Sequence, residues 1–167
     1  MRVLVTTASR HGATAEIART VSSVIAVRGF DVETLPPDEI SAVDGFDAVV
    51  LGSAVYMGRW LEPARAFAKR FEADLKDRPV WLFSSGPIGD PPKPDADSPD
   101  AAVAAEAVAA KEHRRFAGAI FKDRLNLAER AVVRAVKAGE GDYRDWEAIR
   151  SWARGIGKHL ASTEVRR

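Results

Sequence analysis

The stretch Val3-Leu4-Val5-Thr6-Thr7-Ala8-Ser9-Arg10-His11-Gly12-Ala13-Thr14-Ala15-Glu16-Ile17-Ala18 decides how the rest of the chain is read. Three apolar β-formers lead into a small, hydroxyl-rich turn, and the turn leads into a helical pattern. A turn that runs from a buried strand into a helix points the free N–H groups of the first helical turn at its own mouth. The helix dipole adds partial positive charge at the same place. Ser9 and Thr14 contribute hydroxyls, and Gly12 lets the backbone come close to a bound group. The stretch reads as a loop that grips a terminal phosphate. The plainer alternative is an ordinary strand-to-helix connection capped by Ser and Thr. Neither G-x-x-x-x-G-K-[ST] nor G-x-G-x-x-G occurs, which excludes the nucleotide-hydrolase P-loop and the dinucleotide fingerprint.

Working outward, residues 48–51, 80–83 and 117–121 are apolar throughout, as is 3–6. Such runs are expected as parallel strands covered on both faces. A weaker, alternating run at 31–35 ends at Pro36-Pro37 and suits a strand nearer an edge. Helical patterns lie between them. From 14 to about 28, Ile17, Val21, Val24 and Ile25 share a face, and Gly29 ends the pattern. From 61 to about 76, Phe67, Phe71 and Leu75 share a face, with Pro63 tolerated in the first turn. Residues 100–111 are alanine-rich. Asp145 is the expected cap of a last helix, on which Ile149, Trp152, Ile156 and Leu160 align. Strand and helix therefore alternate, which predicts an α/β fold with a doubly wound five-stranded parallel sheet and helices on both faces.

With 167 residues, 46% of them apolar, the chain is expected to form a single domain, 1–167, with one sizeable core. The net charge of +1, without a block of one sign, gives no reason to expect nucleic acid. No cysteine is present, so disulfides, thiolate nucleophiles, iron–sulfur ligation and cysteine zinc sites are excluded. Three scattered histidines do not suggest a metal. No apolar run reaches the ~18 residues that cross a bilayer, and no secretory leader pattern is seen, so a cytoplasmic location is expected.

In a doubly wound sheet the ligand sits at the carboxyl ends of the strands. Three loops fall there. The first holds Ser9, Arg10, His11, Gly12, Ala13 and Thr14. The second holds Ala54, Val55, Tyr56, Met57, Gly58 and Trp60, and the third Ser84, Ser85, Gly86, Pro87 and Ile88. A planar ring system between the second and third loops could rest its phosphate tail in the first. Tyr56 and Trp60 are candidates to flank the ring, the alternative being that they cover the sheet edge. Ser84, Ser85 and Gly86 could hydrogen-bond its polar edge, or form a plain turn. No side chain stands out as a general acid or base, so the catalytic residues stay unassigned.

Taken together the three loops resemble those of flavodoxin, whose phosphate loop carries Ser/Thr, Gly and Thr where this chain has Ser9, Gly12 and Thr14. Tyr56 falls where flavodoxins present an aromatic to the flavin. A closer resemblance, almost end to end, is to the flavodoxin-like menaquinone-dependent protoporphyrinogen dehydrogenases. It rests on residues 9–14, on Gly-Ser-Ala-Val-Tyr-Met-Gly at 52–58, and on Gly-Asp-Tyr-Arg-Asp-Trp-Glu at 141–147. The resemblance implies strand order 2-1-3-4-5, FMN as cofactor, and two-electron oxidation of a tetrapyrrole precursor with a quinone as acceptor. The chain departs from electron-shuttling flavodoxins, which are usually acidic, in its pI of about 8.1. It also departs in carrying Arg10 and His11 where neutral residues are common.

Between the fifth strand and the last helix lies an inserted basic segment, about 122–140. Leu125, Ala128, Val132, Ala135 and Val136 make one apolar face, with Arg124, Arg130, Arg134 and Lys137 largely off it. Such a helix covers its own domain, meets a partner, or lies peripherally on the inner face of a membrane through 124–137. A homodimer is a candidate assembly. Alternatives to the dehydrogenase reading are an electron-transfer module without its own substrate, an F420-binding domain and a non-redox regulatory domain on the same fold.

Overall fold

The computed structural model describes residues 1–86, 98–135 and 139–165. In chain order the elements are β1 (Arg2–Ala8), α1 (Ala13–Ala26), β2 (Asp31–Leu35), β3 (Ala48–Tyr56), β4 (Arg59–Trp60), α2 (Glu62–Arg70), α3 (Glu72–Lys76) and β5 (Val80–Ser85). They continue with α4 (Pro99–Ala107), β6 (Glu112–Phe116), β7 (Ala119–Ile120), α5 (Leu127–Ala135), β8 (Gly141–Asp142) and α6 (Trp146–Glu164). Five strands pair in parallel in the order β2-β1-β3-β5-β6, which is the expected 2-1-3-4-5 winding once the short β4 is set aside.

The central strands are apolar on both faces because both are covered, and the pleat sends alternate residues to opposite sides. Leu4, Val49, Leu51 and Leu82 face α2, α3 and α4, where Trp60, Phe67, Phe71 and Leu75 meet them. Val3, Val5, Val50, Trp81 and Phe83 face α1 and α6, packing on Ile17, Val21, Ile149, Trp152 and Ile156. Gly52 has a particular role on the second face. A Cβ there would come within 2.1 Å of the Phe83 ring, so only glycine lets that ring lie across β3.

Two expectations from the sequence need correction. The fifth strand of the sheet is β6, not 117–121. As an edge strand, β6 buries only one residue fully, Phe116, so its sequence Glu-His-Arg-Arg-Phe carries no apolar run. The apolar run that follows forms β7, which pairs antiparallel with β8 beyond the sheet's carboxyl edge. The pattern at 61–76 is interrupted at Phe71, whose φ of −107° and ψ of 19° end α2 and start α3. The Asp145 cap is as expected, its Oδ1 accepting the Ala148 N–H at 2.9 Å. Among the described residues no helix is long and apolar enough to cross a membrane.

Candidate functional site

β1, β3, β5 and β6 all run toward one edge of the sheet, so the loops after them gather there. In the first, Gly12 takes a left-handed φ of 87° at the N-cap of α1, a conformation that costs glycine little. Its N–H donates to Ser9 Oγ at 3.1 Å, and the first helical bond runs from Glu16 N–H to the Gly12 carbonyl at 3.0 Å. The first-turn N–H groups of Ala13, Thr14 and Ala15 therefore have no carbonyl one turn back within the helix. Together with Ser9 Oγ, the buried Thr14, the Arg10 guanidinium and the His11 ring, they make a donor set suited to a phosphate.

The second loop is a hairpin. Met57 and Gly58 have φ of 49° and 76°, which turns the chain tightly so that Arg59-Trp60 pairs back on Val55-Tyr56. Asp100, in the first turn of α4, fixes the hairpin. Its carboxylate accepts from Arg59 Nε at 2.7 Å and from the Trp60 N–H at 3.0 Å. The hydrogen bond from Arg59 is the main reason that this carboxyl lies below its ordinary pKa. In the third loop Gly86 ends β5, its N–H donating to the Phe116 carbonyl at 2.9 Å.

One cavity of about 150 Å³ joins the three loops. Ser9, Arg10, His11, Ala13, Thr14, Ala54, Val55, Tyr56, Ser85 and Gly86 all line it. The other expected contacts stand elsewhere. Met57 is 81% exposed at the hairpin tip beside Gly58. Trp60 is buried in the core beneath α2 and α4, because the β pairing turns it inward, and its indole N–H donates to Ser84 Oγ at 2.8 Å. An indole N–H only donates, so the Ser84 hydroxyl is free to give its own proton to His113 Nε2, 2.8 Å away. Trp60 and Ser84 thus brace the site from behind and do not line it. Pro87 and Ile88 lie outside the described residues.

The other wall of the cavity was not expected. Gly118, Ala119, Ile120, Phe121, Leu125, Glu129, Val132 and Val133, from the segment after β6, roof it. Helix α5 differs from its predicted apolar face. Ala128 and Ala135 are exposed, as is Val132 in part, while Glu129 is the residue that α5 buries. Val136 and Lys137 lie outside the described residues. Asn126 and Glu129 satisfy each other reciprocally. Glu129 N–H donates to Asn126 Oδ1 at 2.9 Å, and Asn126 N–H donates to Glu129 Oε2 at 3.0 Å. This is a capping box, and Asn126-Leu127-Ala128-Glu129 was a legible signal for it. Glu129 Oε1 reaches the phosphate-type loop, 2.7 Å from Arg10 Nε and 3.2 Å from His11 Nε2. The Asn126 N–H, then His11 and Arg10, hold the Glu129 carboxyl below its ordinary pKa against the opposing effect of burial. Arg10 also lies over the Tyr56 ring, 4.7 Å from its centre.

Two more arginines, Arg124 and Arg144, fasten the segment between β6 and α6 to α1. Arg144, its side chain 3% exposed, bonds Glu16 Oε2 at 2.7 Å, the Ala13 carbonyl at 3.0 Å and Asp142 through two nitrogens. Arg124 Nη1 bonds the His11 carbonyl and Glu16 Oε1, both at 3.2 Å. No motif announces the contacts with Ala13, Glu16 and His11; they join residues more than 100 positions apart.

A family model described as a flavodoxin domain matches residues 4–147. The chain belongs to the flavodoxin family. Family membership implies FMN as its cofactor, and the donor set at 9–14 fits the phosphate end of that molecule. Among solved structures, the chain is similar to a cysteine-to-serine mutant of flavodoxin from Pseudomonas aeruginosa at 14% identity and TM-score 0.62, with 96% of this chain and 99% of that one covered. It is similar to oxidised flavodoxin 1 from Bacillus cereus at 16% identity and TM-score 0.59, covering 82% and 98%. It also matches rubredoxin oxygen:oxidoreductase from Desulfovibrio gigas at 13% identity and TM-score 0.65, covering 96% of this chain but 36% of that larger one. At these identities the likeness shows the fold. A search of curated proteins finds no match.

Proposed function

We propose that this flavodoxin-family chain is an FMN-dependent oxidoreductase that oxidises a reduced small molecule and passes the electrons to a quinone. A tetrapyrrole precursor, protoporphyrinogen, is the proposed substrate, as the resemblance at 9–14, 52–58 and 141–147 implies. The observation that carries the reading is the roof. Ile120, Phe121, Leu125, Val132 and Val133 enclose the mouth of the three loops with apolar side chains. A covered apolar site suits a greasy two-electron substrate, whereas a shuttle exchanges single electrons through an open edge. Bound FMN would supply the redox chemistry. Ser9, Thr14 and the first-turn N–H groups of α1 would hold its phosphate, Tyr56 would stack on its ring, and Ser85 and Gly86 would meet its polar edge. The cavity is smaller than the roughly 300 Å³ at which ligand sites begin, so the ring requires α5 to shift outward. The outer side of α5, with Leu127 83% exposed beside Arg130, is the proposed place of peripheral contact with a quinone-bearing membrane.

Near-neutral charge argues against a steered electron shuttle, although the likeness to flavodoxins of two bacteria favours that as the second reading. Two measurements test the proposal. The protein reconstituted with FMN should show absorption maxima near ~375 and ~450 nm, the signature of an oxidised flavin. It should then oxidise protoporphyrinogen with a menaquinone analogue as acceptor. A yellow protein with no turnover would establish the shuttle instead, and a protein that stays colourless in FMN would overturn both.

A further inference from the structure

Glu129 sits where a carboxylate is least expected in a site meant for a phosphate. It is 5% exposed, lines the cavity with Ser9 and Thr14, and sets one oxygen against both Arg10 and His11 of the loop. Those two side chains, the Arg10 guanidinium and the His11 ring, are the donors through which the loop would hold a ligand's anionic end. A phosphate monoester carries nearly two negative charges at neutral pH. Two anions held against the same pair of side chains repel each other. The carboxylate and the phosphate therefore compete for Arg10 Nε and His11 Nε2.

We propose that Glu129 is a built-in competitor for the ligand's phosphate, a specificity-determining carboxylate that holds Arg10 and His11 until a more strongly charged anion displaces it. The inference rests on reading this cavity as the site of a phosphorylated flavin. Displacement does two things. It frees Arg10 and His11 to bond the phosphate. It also releases the side chain that ties α5 to the loop, so the roof yields as the anion enters. The doubly charged phosphate offsets the loss of the Glu129 contacts through charge-assisted bonds to the same donors. A ligand with a neutral tail has nothing to offer Arg10 and His11 in exchange, and the roof stays down.

The test compares the wild-type chain with Glu129→Gln, which keeps the shape and the cap acceptor but removes the charge. Inorganic phosphate is the first probe, because it is small enough to enter without lifting α5. Titration followed by phosphorus NMR should show Glu129→Gln binding it about tenfold more tightly. FMN, followed by quenching of its fluorescence, should bind the variant more tightly and associate faster. Glu129→Asp keeps the charge and the helix cap but falls short of Arg10, and should show a smaller gain, which guards against a misfolded first variant. Equal or weaker phosphate binding by both variants would overturn the proposal. If no form of the protein binds FMN, the cofactor reading falls, and the phosphate comparison still decides the role of Glu129.

Discussion

Phe83 and Glu16 mark two regions built by opposite means. Around Phe83 the neighbours are apolar. Phe116 and Trp152 lie at ring distances of 6.2 and 5.9 Å, and the backbone of Gly52 presses on its face. Around Glu16 the neighbours are charged: Arg144 at 2.7 Å and Arg124 at 3.2 Å, each reaching in from the insert. Apolar packing is indifferent to pH and salt and is lost all at once. Ion pairs at the margin of a domain respond to both, and can open while the rest stays folded. The sheet is therefore the rigid platform, and the clasp of residues 117–135 and 139–145 over its carboxyl edge is the part that conditions can move.

The largest effect is expected in the sheet. Gly52→Val places a side chain where even a Cβ would overlap Phe83, and the ring has nowhere to go between β3, Phe116 and Trp152. Overpacking of this kind costs about 3 kcal/mol or more. Urea unfolding followed by far-UV circular dichroism should show a lower midpoint for the whole chain. An unchanged midpoint would mean that this face of the core is loosely packed, and the contrast between the regions would fail.

A smaller and more local effect is expected at the clasp. Arg144→Leu removes the guanidinium shared by Asp142 and Glu16, weakening the attachment of the insert by about 2 kcal/mol. Hydrogen exchange should rise across 119–145 and stay unchanged in β1 and β3. Acid should act in the same way. Hydrogen bonding to Arg144 is the chief cause that holds both the Glu16 and the Asp142 carboxyls below their ordinary values. Their contribution is thus complete above the usual carboxylate range, near pH 4, and is lost as pH falls through the depressed values. Exchange in the insert of the wild-type chain should climb below about pH 4, while in Arg144→Leu it should already be high and nearly flat. Simultaneous loss of sheet and insert in acid would merge the two regions into one.

The same division explains what could be read from the sequence. Runs such as Val3-Leu4-Val5 and Val49-Val50-Leu51 declare buried strands because packing acts through composition and period, and both are local properties. The strand β6 escaped because, at the edge of the sheet, it buries only Phe116 fully, and Glu112, Arg114 and Arg115 disguise it. The phosphate-type loop was legible from Ser9, Gly12 and Thr14, since one turn brings them together. The roof was not. Glu129 meets Arg10 across 119 positions, and Arg144 meets Glu16 across 128, so no window of sequence contains either pair. The sequence leaves Trp60 open between flanking a ring and packing at the sheet edge for a related reason. Whether an aromatic at a sheet edge covers a ligand or enters the core depends on the two positive-φ residues of the preceding hairpin tip.

The smallest effect is expected where the two regions meet. Thr14 belongs to α1 and is 3% exposed, yet it lines the cavity that the clasp covers. Thr14→Ala keeps the helix, since alanine is a better helix former than threonine, and removes a single hydroxyl from the phosphate-type donor set. Fold stability should therefore hardly change, whereas FMN affinity should fall by about 1 kcal/mol or more, roughly fivefold or more, through one lost phosphate donor. Flavin fluorescence quenching measures the second quantity and thermal unfolding of the cofactor-free protein the first. Loss of stability with unchanged affinity would assign Thr14 to the platform alone and move the phosphate away from the first turn of α1. Loss of affinity alone would show that a residue set by sheet packing can serve the ligand without conceding anything to the fold.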